Sequence, residues 1–270
     1  MLKYNKQIIH YNITMVKILA FDTETSGLPP KLGENWTQKD ILEKQLQTNA
    51  NSWTIELLDT WASIIQLGYI LYDTENTENI KIFDKYISIP DNIDIDADSL
   101  KIHNISREKI YSSNNSVSIS MAIQEFIQDA EQADIIIAHN VKFDRLMIIS
   151  ELMKLTPLNK RDENASVKMM LDNKKFVCTM DETTTICKIP LKINYIDKLT
   201  NKPNSFIKNK APKLLEAHNY LFEHNNILKD KLHNAINDAI VCLKIYCKYK
   251  YNIDICNTNA IIAERIAALL

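Results

Sequence analysis

Long hydrophobic runs and a secretory signal are both lacking in this 270-residue chain. No apolar run approaches the roughly 20 residues that a membrane-spanning helix needs. The first fifteen residues, MLKYNKQIIHYNITM, contain neither the apolar stretch nor the small-residue cleavage site of a signal peptide. We therefore expect a soluble intracellular protein, in the cytoplasm or the nucleus, with no membrane contact.

Paired cysteines are also lacking. The five cysteines form no CxxC pair, and none has a histidine nearby at zinc-finger spacing. An odd number without a secretory signal favours reduced thiols. Cys242 and Cys247 lie in an apolar helical run, which predicts that they are small buried hydrophobic residues.

The chain has no excess of basic residues. It carries 32 lysines and arginines against 34 aspartates and glutamates, for a formal net charge of −2. A protein that coats nucleic acid along an extended groove usually has a basic footprint. The balance argues against such a groove, but it leaves open the binding of a few nucleotides at an end. The hydrophobic fraction of 46% is enough for a sizeable core.

Periodicity predicts a mixed α/β protein. Three apolar runs rich in β-formers predict successive strands that form an antiparallel meander, at Val16–Phe21, Ala62–Tyr72 and Ile80–Ile89. Further along, helices and strands are predicted at Val117–Gln128, Asp134–Ala138, Lys142–Lys154, Phe176–Thr179, Leu214–Glu223 and Asn234–Tyr249. This order favours a mixed five-stranded sheet with helices on both faces. With no repeats and no clear linker, one domain over residues 1–270 is expected, with its core at about 16–250.

Two stretches have the character of insertions. Lys31–Asp59 is polar, with a helix predicted around Gln38–Gln47. Pro157–Lys175 is charged and aperiodic, which predicts a mobile loop.

The first chemical signal is Asp22-Thr23-Glu24, at the end of the first predicted strand. Alternate residues of a strand point to the same side, so both carboxylates would face one point. Two carboxylates at such a short distance repel each other unless a cation such as Mg²⁺ or Mn²⁺ lies between them. Taken alone, the pattern is also typical of a solvated turn.

Two further acidic residues begin predicted helices. Asp144 follows a buried strand and lies in the first turn of a helix, where a carboxylate also compensates the helix dipole. Asp238 lies near the start of the last long helix, with His233 five residues earlier, in a position to aim an imidazole at the same spot. His139, before Asp144, is expected to be a hydrogen-bonded structural residue.

Together these three segments resemble the DnaQ-like (DEDDh) 3′-to-5′ exonucleases, which have an RNase H-like fold. The matching motifs, in order, are ILAFDTETSGL (Ile18–Leu28), HNVKFD (His139–Asp144) and HNAIND (His233–Asp238). Weaker matches are IIQL (64–67), SLKIHNIS (99–106), VCTM (177–180) and PKLL (212–215), so the resemblance covers about residues 16–250. Asn234 stands where the sister subclass carries tyrosine, which implies that histidine is the base.

The resemblance implies a site with two Mg²⁺ or Mn²⁺ ions. Asp22, Glu24 and Asp238 would hold one ion, Asp22 would bridge to the second, and Asp144 would support the second directly or through water. His233 would be the general base, and we expect nearby carboxylates to raise its pKa. The implied product is a 5′-nucleoside monophosphate.

The resemblance also implies three substrate contacts. Thr25 would offer its backbone N–H and hydroxyl near the terminal sugar, Leu28 would wedge against the terminal base, and Asn140 would contact the terminal nucleotide. Ordinary packing for Leu28 and a turn role for Asn140 are the alternatives. Ser26 stands where many relatives have threonine, and the long insertion after Pro30 departs further from the family pattern.

Two other groups of residues have alternative interpretations. Lys202, Lys208, Lys210 and Lys213 form a basic stretch in a predicted loop, which is either a solvated face or a contact with the backbone of the scissile strand. Trp36, Trp53 and Trp61 flank the first insertion, where they either pack internally or stack on a base.

The predicted function is metal-dependent 3′-to-5′ exonuclease activity on a single-stranded 3′ end, in DNA replication or repair. DNA is favoured slightly over RNA because nothing in the chain marks recognition of a 2′-hydroxyl. Proofreading for a polymerase in another chain and independent trimming both fit, as does an RNA-trimming exoribonuclease. The alternative of another class is a non-catalytic end-binding or polymerase-interaction module, which would be expected to lack one of the five polar residues.

Overall fold

The computed structural model describes residues 15–172, 175–196, 201–223 and 227–270, apart from the side chain of Trp36. Within these ranges, no helix is both long and apolar enough to cross a bilayer.

A six-stranded mixed sheet forms the centre of the molecule, in the order β4-β3-β2-β1-β5-β6. Its strands are β1 (Lys17–Thr25), β2 (Ile64–Asp73), β3 (Ile80–Ser88), β4 (Ser116–Ser118), β5 (Ile135–Ala138) and β6 (Phe176–Cys178). The first three form the predicted antiparallel meander. β5 runs parallel to both β1 and β6. The mixed α/β fold class is therefore confirmed, but the predicted count of five strands is wrong. β4, which pairs in parallel with β3, is only three residues long and offers too little periodicity to be recognised.

The helices pack on both faces of this sheet. They are α1 (Trp36–Thr48), α2 (Ile55–Leu58), α3 (Ala97–His103), α4 (Arg107–Ser112), α5 (Ile119–Gln132), α6 (Val141–Leu155), α7 (Ala165–Leu171), α8 (Thr179–Cys187), α9 (Leu214–Leu221), α10 (Ala235–Tyr251) and α11 (Ala260–Ala267).

The strand β1 is buried on both sides because successive side chains enter two different cores. Leu19 and Phe21 pack in one core with residues of α5 and α6. Ile18 and Ala20 pack in the other core with residues of α10 and α11. Cys242 and Cys247 are buried in this second core, as predicted. The chain beyond residue 250 also contributes to it, through Ile255, Ile262 and Ile266.

Both predicted insertions are more ordered than their sequences indicate. In the first, α1 covers the predicted helix, and Leu46, Ala50 and Leu58 are buried in the core. Trp53 and Trp61 are buried with ring centroids 4.8 Å apart, which favours internal packing over base stacking. Trp36 lies outside the described side chains.

The prediction of a mobile loop at Pro157–Lys175 is wrong for its described residues. A 3₁₀ turn at Leu158–Lys160 and the helix α7 occupy much of this segment. Val167 and Met170 of α7 are buried against the core, and these apolar residues stabilise a helix that the surrounding charges concealed.

A separate two-stranded antiparallel sheet follows α8. Its strands, β7 (Pro190–Ile196) and β8 (Pro203–Asn209), pair with each other and not with the central sheet. The basic stretch predicted to be a loop therefore includes a strand, since Lys208 lies in β8.

Candidate active site

The side chains of Asp22 and Glu24 project from the end of β1, next to the start of α10. Asp22 lies directly opposite Gly68 of β2. Thr23, between the two carboxylates, points the other way and is buried. The alternation of a strand therefore places Asp22 and Glu24 on one side, as the sequence predicts.

Asp144 reaches the same place from the first turn of α6. Its Oδ1 accepts hydrogen bonds from the backbone N–H of Thr23 at 2.9 Å and from the Thr23 hydroxyl at 2.8 Å. α6 begins after Asn140, which adopts a left-handed conformation with φ of 75°. This turn directs the first residues of the helix toward the end of β1, so the Asp144 side chain is fixed to the neighbouring strand.

Asp238 and His233 come from the start of α10. The helix is capped by Asn234, whose side chain accepts a hydrogen bond from the N–H of Asn237. His233, just before the cap, has φ of 61°, and its backbone N–H donates to Asp238 Oδ2 at 3.2 Å. Asp238 Oδ1 is buried and has no hydrogen-bond partner within the described ranges. A buried acceptor in that state is costly unless a cation or a proton satisfies it.

Gly68 and Gln66, which the sequence analysis did not single out as site residues, hold α10 against the sheet. A Cβ at Gly68 would lie 2.2 Å from the backbone nitrogen of Ile236, so only glycine allows the helix to approach this closely. Gln66 Oε1 accepts hydrogen bonds from the Ala235 N–H at 3.2 Å and the Asn234 side chain at 3.4 Å. A lone glycine inside the apolar run IIQLGYILY is the signal that could have indicated this approach.

Burial, and for three of the four groups the neighbouring carboxylates as well, raises the pKa values of these carboxyl groups. The pKa of Asp22 is raised well above its usual value by burial and then by Asp144, Asp238 and Glu24. Burial and the charges of Asp238 and Asp144 raise the pKa of Glu24 to about 8. Burial raises the pKa of Asp144 to about 7 and that of Asp238 to about 7. Such a cluster is stable at neutral pH only when protons or cations neutralise it.

The pKa of His233 is shifted in the direction opposite to the prediction. Burial lowers it below the ordinary value, and the positive charges of Lys229 and Lys213 lower it further. The expectation that carboxylates would raise this pKa is wrong because burial and two lysines from separate segments outweigh them. The imidazole is consequently neutral at pH 7, the form that can accept a proton.

The arrangement has the donors that a divalent cation requires. One ligand atom each from Glu24, His233 and Asp238 lies within 4.8 Å of the other two. The oxygen donors suit Mg²⁺ or Mn²⁺, and the unpartnered Asp238 Oδ1 supplies an acceptor that a cation would satisfy. Glu24, His233 and Asp238 form this group, and the effects of Asp144, Asp238 and Glu24 on the pKa of Asp22 place Asp22 and Asp144 near it.

The three residues predicted to contact the substrate differ in their burial and in whether they line a cavity. The hydroxyl of Thr25 is buried and donates to the Gly27 carbonyl at 2.7 Å. Leu28 is 79% exposed, so it is not ordinary packing. Leu28 and Asn140 line a cavity of about 590 Å³, which α1 borders through Lys39 and Glu43. This volume is in the range of small-molecule sites.

His139 has a structural role, as predicted. Its Nε2 lies 3.0 Å from the Pro212 carbonyl, so this nitrogen donates, and Nδ1 accepts from the Thr179 hydroxyl at 3.1 Å. These bonds tie the start of α6 to α8 and to the segment before α9.

No protein-family model and no curated protein matches the sequence. Solved structures do match. The E. coli exonuclease I complex with a 5cy-dT13 oligonucleotide superposes with a TM-score of 0.50 at 13% identity, over 88% of this chain and 42% of that one. The zinc-bound E. coli ExoI–ssDNA complex gives 0.51 at 14%, over 88% and 41%. Exonuclease I from Methylocaldum szegediense gives 0.51 at 10%, over 89% and 42%.

The chain thus spans about 42% of the length of these exonucleases. At such low identity, the likeness establishes a common fold and not a common activity. The chain has the fold of these exonuclease I structures, a mixed sheet flanked by helices.

Proposed function

We propose that this protein is a metal-dependent 3′-to-5′ exonuclease that releases 5′-nucleoside monophosphates from a single-stranded end. The observation that carries the proposal is the convergence of Asp22, Glu24, Asp144 and Asp238 beside His233, with carboxyl pKa values raised by burial and, for Asp22, Glu24 and Asp238, also by neighbouring carboxylates. A cluster with this charge requires neutralisation, and a structural role would not require four carboxylates at one point.

The carboxylates would hold two divalent ions, with Asp22, Glu24 and Asp238 on one and Asp22 and Asp144 on the other. Bound ions of this type supply an activated water and neutralise charge on the phosphate. His233, neutral at pH 7 because its pKa is lowered, would accept the proton of the attacking water. The Thr23 hydrogen bonds hold Asp144 in place, so little reorganisation accompanies substrate binding.

The cavity lined by Leu28 and Asn140 supports an end-directed activity, since these residues follow Glu24 and precede Asp144 along the chain. It lies between the loop after β1 and the start of α6, and Leu28 projects at its rim. A terminal nucleotide placed there would stack against Leu28 and meet Asn140. Thr25 would contact the sugar through its backbone N–H, while its hydroxyl donates internally and can accept from the substrate.

The test uses DNA and RNA oligonucleotides of one sequence, each labelled at the 5′ end or the 3′ end. With Mg²⁺ or Mn²⁺, the 5′-labelled strand should shorten in single-nucleotide steps, and the 3′ label should appear at once as a mononucleotide. EDTA should stop both reactions, and the rates on DNA and RNA decide the sugar preference.

The matched controls are Asp22→Asn and Asp98→Asn, the latter a change at an exposed carboxylate of α3. Turnover should disappear in Asp22→Asn and be unchanged in Asp98→Asn. Undiminished turnover by pure Asp22→Asn, or release of the 5′ label first, would refute the proposal.

A further inference from the structure

The β7–β8 hairpin stands apart from the rest of the fold. Its two strands pair only with each other. All seven residues of β8 are exposed. An exposed hairpin of this kind contributes little to either core, so its sequence is free to serve another purpose.

The hairpin and its flanks are rich in lysine. Between residues 188 and 213 the sequence has seven lysines and one acidic residue, Asp197. Six of these lysines lie in the described ranges, at positions Lys188, Lys192, Lys202, Lys208, Lys210 and Lys213. The chain as a whole has a net charge of −2, so this concentration is local. Lys210 pairs with Glu216 at the base of the hairpin. Lysines concentrated on one projecting element attract a polyanion such as the phosphate backbone of a nucleic acid.

One face of the hairpin also exposes aromatic rings. Tyr195 and Phe206 are 42% and 50% exposed, and their ring centroids are 5.9 Å apart. The strand register places Phe206 opposite Ile193, and Lys208 lies two residues further along β8 on the same face. Exposed aromatic rings beside lysines are the combination that binds single-stranded nucleic acid through base stacking and phosphate contacts.

The base of the hairpin adjoins the candidate active site. The segment that follows β8 leads to Pro212, whose carbonyl accepts the hydrogen bond from His139, the residue before Asn140. A strand whose 3′ end lies at the carboxylate cluster would therefore pass near the base of the hairpin.

We propose that the β7–β8 hairpin is a second binding site for single-stranded nucleic acid, which holds the strand upstream of its 3′ end. Tyr195 and Phe206 stack on bases, and Lys208, on the same face, contacts a phosphate, without sequence preference. A protein partner is less favoured, because this cluster of lysines is electrostatically complementary to a phosphate backbone. The inference rests on the proposed function, which supplies the position of the 3′ end.

The experiment measures binding and turnover separately. Binding is measured with Asp22→Asn protein, which leaves the strand intact, and an oligothymidylate of about 15 nucleotides, within the site sizes known for single-strand binders. Removing both rings (Tyr195→Ala with Phe206→Ala) should weaken binding by about tenfold or more. Lys208→Glu should weaken it and reduce the slope of log K against log salt by about 0.7, because one phosphate contact is lost.

Exposed residues outside the hairpin provide controls. Tyr220→Ala removes an exposed ring from α9, and Lys160→Glu changes an exposed lysine beyond the far end of α6. Neither should alter the affinity.

Turnover of a dinucleotide, which is too short to reach the hairpin, should be unchanged in the hairpin variants on the otherwise wild-type chain. Equal affinity of both hairpin variants and the parent would overturn the inference. The inference would also be overturned if the hairpin variants lost self-association, measured by sedimentation, but bound the oligonucleotide normally. Failure of the wild type to hydrolyse either substrate would instead refute the proposed exonuclease activity, and the binding measurements would still decide the role of the hairpin.

Discussion

At the scale of single residues, Asp238 and His233 show how α10 prepares the site. One carboxylate oxygen of Asp238 accepts a hydrogen bond from the backbone N–H of His233. The other oxygen is buried and has no hydrogen-bond partner in the described parts of the chain. The positive φ of His233 turns the chain so that its imidazole lies beside this second oxygen. The two side chains are therefore positioned by the backbone of the helix start and not by their own flexibility.

His233→Ala should lower kcat by roughly 10²- to 10⁴-fold, the usual range for loss of a general base, and a loss below about threefold would count against that role. Stability should change little, because His233 is exposed and its backbone supplies the bond to Asp238. The measurement is steady-state turnover with urea unfolding as the control.

Sequence motifs could predict these residues because each lies at the edge of an element whose periodicity is plain. The side of the strand that Asp22 and Glu24 share follows directly from alternation. The pKa of His233 could not be predicted, since it depends on burial and on Lys213 and Lys229, whose proximity only the folded chain reveals.

At the scale of elements, the contact between α10 and β2 decides where the carboxylates meet. Gly68 lies opposite Asp22 on the sheet and under the first turn of α10. The absence of a side chain there brings the helix within reach of β1, and Gln66 fixes the approach with hydrogen bonds to the first residues of the helix. The strand and helix are thus in contact where the site forms.

Gly68→Ala should displace α10 and disturb the site. The added Cβ would lie 2.2 to 2.6 Å from backbone atoms of Ala235 and Ile236, which cannot rotate away. We expect a loss of about 1–3 kcal/mol or more in the free energy of unfolding, with reduced turnover. Gly27→Ala is the control, since its Cβ would make ordinary contacts at 3.7 and 3.8 Å. Equal stability of the two variants would contradict this account.

Long elements with clear periodicity were predicted close to their observed bounds. β4 and α7 were missed because a short element leaves too few residues for a period to appear. The β7–β8 hairpin was missed because β8 does not alternate between apolar and polar residues, and the alternation of Leu191, Ile193 and Tyr195 in β7 is short.

At the scale of the whole molecule, two hydrophobic cores pack three segments that are distant in sequence against one sheet. α6 belongs to one core and α10 to the other, and the sheet between them carries β1. Folding therefore forces the carboxylates together against their repulsion, and the two cores supply the free energy that offsets it.

This repulsion predicts how the stability of the metal-free protein depends on pH. Unfolded Asp and Glu have lost their protons by about pH 5, while the folded cluster retains protons up to pKa values of about 7 to 8. The unfolded state then binds fewer protons, so stability falls as pH rises. The window of pH 7 to 8 isolates the effect, since below it the buried histidines, whose pKa values are lowered, contribute the opposite slope.

Urea unfolding in EDTA between about pH 7 and 8 tests this linkage. The wild type should lose stability across the window, Asp22→Asn should lose less, and Mg²⁺ should restore stability to the wild type most strongly at the higher pH. A wild-type stability that is level or rises with pH would contradict the electrostatic account.

The central claim is that these four carboxylates jointly hold divalent cations, and Mn²⁺ binding tests it most directly. Calorimetric titration at neutral pH should show Mn²⁺ binding to the wild type and to Asp98→Asn, with at least about a tenfold loss of affinity in Asp238→Asn, as expected when a ligand is removed. Equal Mn²⁺ binding by the wild type and Asp238→Asn would contradict the account.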